Sequence, residues 1–133
     1  MTVATEALLA ALGLFGFAGF HAALAMGVPW AAYAWGGQAE AGPLPPRLQL
    51  GSTILSPFVA AMAVLLLIRG GWIYAALAPT MQWPVWAVFL FVLTQFFGAM
   101  RSQSLKERRR MAPLYGITAV LCALVAFASP IGG

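Results

Sequence analysis

The chain has 133 residues, one domain's worth, of which 62% are hydrophobic and only 8% charged. That balance lies outside the range of water-soluble domains and excludes a soluble enzyme or a soluble binding module. The formal net charge of +4 does not point to nucleic acid, because the basic residues flank apolar segments and bring no aromatic platform on which bases would stack.

Four apolar segments follow one another near residues 5–26, 48–68, 84–100 and 111–129. About 20 helical residues cross a hydrocarbon layer roughly 30 Å thick, so each segment reads as a transmembrane helix. Strands of a membrane barrel would alternate polar and apolar positions, and these segments do not. The expected fold class is all-α, an integral membrane four-helix bundle that takes residues 1–133 as one domain.

In the first segment Ala23-Leu24-Ala25 resembles a signal cleavage site, yet no Lys or Arg precedes it and Glu6 stands where a positive region belongs. It reads as a permanent helix. Glu6 favours the helix dipole in the first turn. Gly13, Gly16 and Gly19 recur at three-residue spacing among several alanines, a face that permits close packing on a helix of the same chain or of another copy.

Leu44-Pro45-Pro46-Arg47 reads as the start of the second helix, since proline in the first turn fixes φ and needs no amide partner. Pro57 and Pro113 fall inside helices and should each release a carbonyl and bend the helix. Ser104-Leu105-Lys106-Glu107 has the spacing of a capping box, which starts the fourth helix near Leu105. Residues 101–103 then form a tight turn in a short cytoplasmic hairpin between helices 3 and 4. The single cysteine, Cys122, rules out an internal disulfide or a paired-thiol redox centre.

Four spans put the first and third loops on one side, with the second loop and both termini on the other. The first side collects Arg47, Arg101, Lys106, Arg108, Arg109 and Arg110, and the other holds only Arg69. By the positive-inside rule the first side is cytoplasmic and both termini lie outside the cytoplasm. Arg101, Lys106, Arg108, Arg109 and Arg110 are candidates for contact with lipid headgroups. Trp30, Tyr33, Trp35 and Tyr115 read as the cytoplasmic aromatic belt, and Trp72, Tyr74, Trp83 and Trp86 as the opposite one.

Counted from the cytoplasmic helix ends, His21, Ser56, Gln95, Tyr115 and Thr118 fall in one layer, about three to eight residues deep. Hydrocarbon offers such groups no water, so they pair with each other or the backbone, or they face a ligand or cavity. The plainer account is that they join helices. The functional account makes the five a ligand site, with His21, the sole histidine, able to bind a ligand or exchange a proton. No Asp, Glu, Cys or second His has ligand spacing with His21, so no metal is expected, and no cofactor.

Gly27-Val28-Pro29-Trp30, Ala34-Trp35-Gly36-Gly37-Gln38 and Leu44-Pro45-Pro46-Arg47-Leu48, with Ser102, Ser104, Glu107, Arg108 and Pro113 further on, resemble a widespread family of small, uncharacterised four-helix bacterial membrane proteins. Where its members often carry an asparagine before the second patch, Gly98-Ala99-Met100 stands here. The resemblance implies the bacterial cytoplasmic membrane and supplies no reaction or substrate. Both patches fall on the expected cytoplasmic side. There Trp30, Trp35, Gly36, Gly37, Gln38 and Arg47 form either a plain interfacial turn or a lid over the polar layer, with Arg47 and Glu107 as a possible fastening pair.

The sequence carries no Ser/His/Asp, phosphate-loop or paired-carboxylate constellation. The leading expectation is noncatalytic binding of a lipid, a small amphiphile or a membrane-protein partner. An oligomeric transporter or channel is the alternative, with Pro57 and Pro113 as its bends. A lipid-modifying enzyme using His21 as acid or base, with Tyr115 or Gln95 orienting the substrate, is the third. Membrane lipids are the expected partners, with a homo-oligomer or another membrane protein also possible, and no nucleic acid.

Overall fold

The computed structural model describes residues 2–38 and 42–128. Among them the fold is all-helical: α1 (Val3–Ala25), α2 (Pro46–Arg69), α3 (Gln82–Met100) and α4 (Ala112–Ala126). A π-helical turn, Glu107–Met111, leads into α4 and makes the fourth helix long enough to cross a membrane, as the other three are by length and hydropathy. The far limit expected for the fourth segment, residue 129, lies outside the described residues.

Each helix boundary has a local cause. Thr2 caps α1, its hydroxyl accepting the Thr5 amide at 3.2 Å. At the other end Gly27 N–H reaches Leu24 O and Val28 N–H reaches Ala23 O, both at 3.1 Å. This is the paired closure that needs a left-handed residue just beyond the helix, and Gly27 supplies it with φ 94°. The same closure ends α2, where Gly71 (φ 81°) and Trp72 return to Ile68 and Leu67. α2 starts at Pro46 with Pro45 as its cap, as the Leu-Pro-Pro-Arg segment implies.

The two internal prolines behave differently. Helical assignment runs unbroken through Pro57. At Pro113 the preceding turn is wound wide, and Ala112 N–H bonds to Glu107 O, five residues back. Pro113 has no N–H to give the α-helical ladder, and its ring collides with the carbonyl four residues earlier, which a π turn moves out of the way.

Lipid tails are as apolar as the core, so close packing and polar ties hold such helices together. α1 is the centre of the bundle and packs on both α2 and α4, while α3 leans mainly on α4 and touches α2 little. The close faces of α1 are its alanines: Ala7, Ala10 and Ala11 are fully buried and Ala18 nearly so. Of the glycine stripe, Gly13 meets Thr118 of α4, whereas Gly16 and Gly19 face open space.

One end of the bundle holds the α1–α2 loop and the α3–α4 turn, joined by Gln103 N–H to Gly36 O at 3.1 Å and by the Ser104 hydroxyl on Ala32 O. The opposite end is tied by Trp72 Nε1–H to Ala4 O (2.7 Å), Arg69 Nη2 to Gln82 Oε1 (3.1 Å) and Gln82 Nε2 to Ala126 O (2.7 Å). Arg47, Arg101, Lys106, Arg108, Arg109 and Arg110 all lie exposed at or near the first end, and Arg69 is buried at the second.

Candidate functional site

The polar centre begins at Ser52, fully buried on α2. Its Oγ accepts Trp35 Nε1–H at 3.1 Å and lies 3.1 Å from His21 Nδ1. Indole nitrogen only donates, so Ser52 Oγ accepts from Trp35, while in its contact with His21 Nδ1 either atom is the donor according to the imidazole tautomer. Ser52 thereby fixes the orientation of both rings, which meet edge to face at 6.0 Å.

Trp35 is held for this contact. It sits at φ 59°, a left-handed backbone that strains a side-chain-bearing residue by roughly 1–2 kcal/mol. Its indole lies so close to Gly51 of α2 that a Cβ there would come within 2.8 Å of the ring. Gly36 and Gly37 continue the left-handed path at φ 65° and 76°. Gly37 lies against the α3–α4 turn, where a Cβ would stand 2.7 Å from Ser104 N.

The same turn delivers Glu107. Ser104 Oγ receives Glu107 N–H at 3.4 Å, the first half of the expected capping box. The reciprocal half is replaced: Ser104 N–H bonds to Ser102 Oγ at 3.0 Å, and the Glu107 carboxyl is released from capping. Glu107 is only 5% exposed. The Ser102 hydroxyl and the Gly36 backbone amide are the hydrogen-bonding groups beside its carboxyl, and Oε1 has no partner among the described residues.

These residues border a half-open cavity of about 260 Å³ lined by the α1–α2 loop and by side chains from all four helices. His21, Trp35, Gln95, Glu107 and Tyr115 form its interior, and the exposed Gln38, Thr94 and Gly98 mark its rim. Tyr115 is fixed by stacking on Phe17, with ring centroids 4.3 Å apart. Neither the Tyr115 hydroxyl nor the Gln95 amide hydrogen-bonds to protein among the described residues. His21, Leu55, Gln95 and Tyr115 also line a second, much smaller cavity together with Leu14, Phe17 and Val59.

Of the five residues expected in the polar layer, His21, Gln95 and Tyr115 converge here. Ser56 instead donates to Ala18 O at 2.8 Å, a tie between α2 and α1. Thr118 donates to Leu114 O at 2.9 Å and faces Gly13. Of the loop residues, Trp35, Gly36 and Gln38 line the cavity, and Gly37 docks the loop. Trp30 stacks on Phe20 at 6.2 Å, and Arg47 is exposed. Among the described residues no ion pair joins Arg47 to Glu107; backbone bonds fasten the loop. Of the expected headgroup residues, Lys106 lies 5.8 Å from the Tyr33 ring. Ser52, Ser102 and Glu107 complete the site. The sequence presents Glu107 as a capping residue or a partner for Arg47 rather than a cavity residue, and Ser52 is hidden by an unremarkable Gly-Ser-Thr context.

Four helices, each long and apolar enough to cross a membrane, around a polar cavity fit the architecture of a small multi-pass membrane protein. No family model, curated protein or solved structure matches the chain.

Proposed function

We propose that this is a bacterial inner-membrane protein that binds a small amphiphile without transforming it, taking the polar head into the cavity and leaving the tail in lipid. The observation that carries this reading is the convergence of the Gln95 amide and the Tyr115 hydroxyl, both without protein partners, beside His21 in one cavity. Polar groups in a membrane interior are expensive unless satisfied. A cavity of this size holds a headgroup of several non-hydrogen atoms, and its open side leaves room for a tail in the bilayer. The basic end would face the cytoplasm, which puts the cavity in the inner leaflet, and the resemblance noted in the sequence supports the bacterial setting.

Ser52 and His21 have the spacing of a nucleophile and its base. Ser52, however, is fully buried, already receives Trp35 Nε1–H, and is not among the residues lining the cavity. A nucleophile must reach its substrate, so the pair is better suited to positioning Trp35 and His21 than to attack.

Native mass spectrometry of protein released gently from its own membrane tests the reading against His21→Ala and Gln95→Ala. A discrete bound mass carried by wild type and lost from both variants is expected. Wild type without any bound mass, or with one that both variants retain, would remove the cavity as a binding site.

A further inference from the structure

Glu107 is the acidic side chain that lines the cavity among the described residues. Its side chain is 5% exposed, lines the cavity, and leaves Oε1 without a partner among the described residues. Among the described residues no Lys or Arg lines the cavity with it. Lys106 lies by the Tyr33 ring instead, and Arg108, Arg109 and Arg110 are exposed. An anionic headgroup entering here would meet a carboxylate with no intervening cation. A protonated amine would find an acceptor with free lone pairs, the carbonyl oxygen of Gln95, and the aromatic rings of Trp35 and Tyr115, whose faces attract cations.

Resting on the binding role proposed above, we infer that the ligand is a cationic amphiphile with an ammonium head, and that Glu107 is its counter-ion. The buried carboxylate and the bound cation neutralise one another, which removes the cost of an uncompensated charge at this depth. The Ser102 hydroxyl and the Gly36 amide lie beside the carboxyl, and Oε1 has no hydrogen-bond partner among the described residues. The loop carrying Trp35 and the turn carrying Glu107 are bonded to each other, so the aromatic wall and the counter-ion form one rigid end of the site.

The test is calorimetric titration of the full chain in phosphatidylcholine nanodiscs at pH 7, corrected for empty nanodiscs, with three probes of equal chain length: octylamine, octanol and N-octylacetamide. Wild type is expected to bind octylamine at least ten-fold more tightly than either neutral probe. Glu107→Gln, which keeps the size of the side chain, should erase that preference. Equal binding of octylamine and N-octylacetamide by wild type overturns the inference without any variant, and so does undiminished octylamine binding by Glu107→Gln. In both cases binding of the neutral probes leaves the cavity reading standing. Failure of all three probes to bind wild type removes both.

Discussion

Ser52 is the residue on which the interior of the site depends, because a single hydroxyl serves two rings from two different segments. Ser52→Ala strands a buried His21 nitrogen and the Trp35 N–H together, and each buried unsatisfied group costs about 1–3 kcal/mol. Ser56, one turn along the same helix, gives the contrast. Its hydroxyl adds a bond to Ala18 O within α1, and removing an interhelical tie of this kind costs about 0.6 kcal/mol. Thermal unfolding in detergent should therefore show a large fall in midpoint for Ser52→Ala and a small one for Ser56→Ala. Trp35 should also become accessible to acrylamide quenching in the first variant only. Equal effects would mean that Ser52 is ordinary helix glue. The depth of a polar residue was legible from the sequence, since helical rise fixes it, and so His21, Gln95 and Tyr115 were found. The side of the helix it faces was not. Thr118 has a suitable depth and points at Gly13 of α1, because neighbour identity is decided by packing between distant segments.

The α1–α2 loop is the element that turns four helices into a site, and its glycines do different work. Gly36 (φ 65°) has open space where a Cβ would go, while Gly37 (φ 76°) abuts the backbone nitrogen of Ser104. Gly36→Ala should cost only the left-handed strain, roughly 1–2 kcal/mol. Gly37→Ala adds a clash that no flexible side chain can relieve, and it pushes the loop off the α3–α4 turn by opening the Gln103–Gly36 bond. Unfolding midpoints should rank wild type above Gly36→Ala above Gly37→Ala, and only Gly37→Ala should lose the bound mass while still folded. A reversed order would show that the loop is not docked through Gly37. The helices themselves were readable from hydropathy and proline placement. The π turn was not, because Ser104-Leu105-Lys106-Glu107 satisfies the rules for an ordinary capped start and only the collision imposed by Pro113 widens the turn that follows.

At the scale of the whole molecule, charge is divided unevenly between the two ends of the bundle. The end carrying Glu107 and the docked loop also carries the exposed Arg47, Arg101, Lys106, Arg108, Arg109 and Arg110, whereas the opposite end offers Arg69, buried and bonded to Gln82. A basic residue close to a membrane surface contributes about 1 kcal/mol of attraction to an anionic leaflet. By the positive-inside rule this asymmetry is expected to turn the cavity toward the cytoplasm and to draw anionic lipid to a mouth lined by Glu107. Generic attraction outside and charge selection inside would then act on opposite signs of headgroup. The orientation is open to direct measurement, because Cys122 is fully buried and should stay silent toward an impermeant maleimide. Gln103→Cys and Trp83→Cys put single exposed thiols at the two ends. In intact spheroplasts Trp83→Cys should label and Gln103→Cys should not, and inverted vesicles should give the opposite result. The reverse pattern would put the cavity in the outer leaflet, where the positive-inside argument fails and the ligand would have to be sought among external amphiphiles.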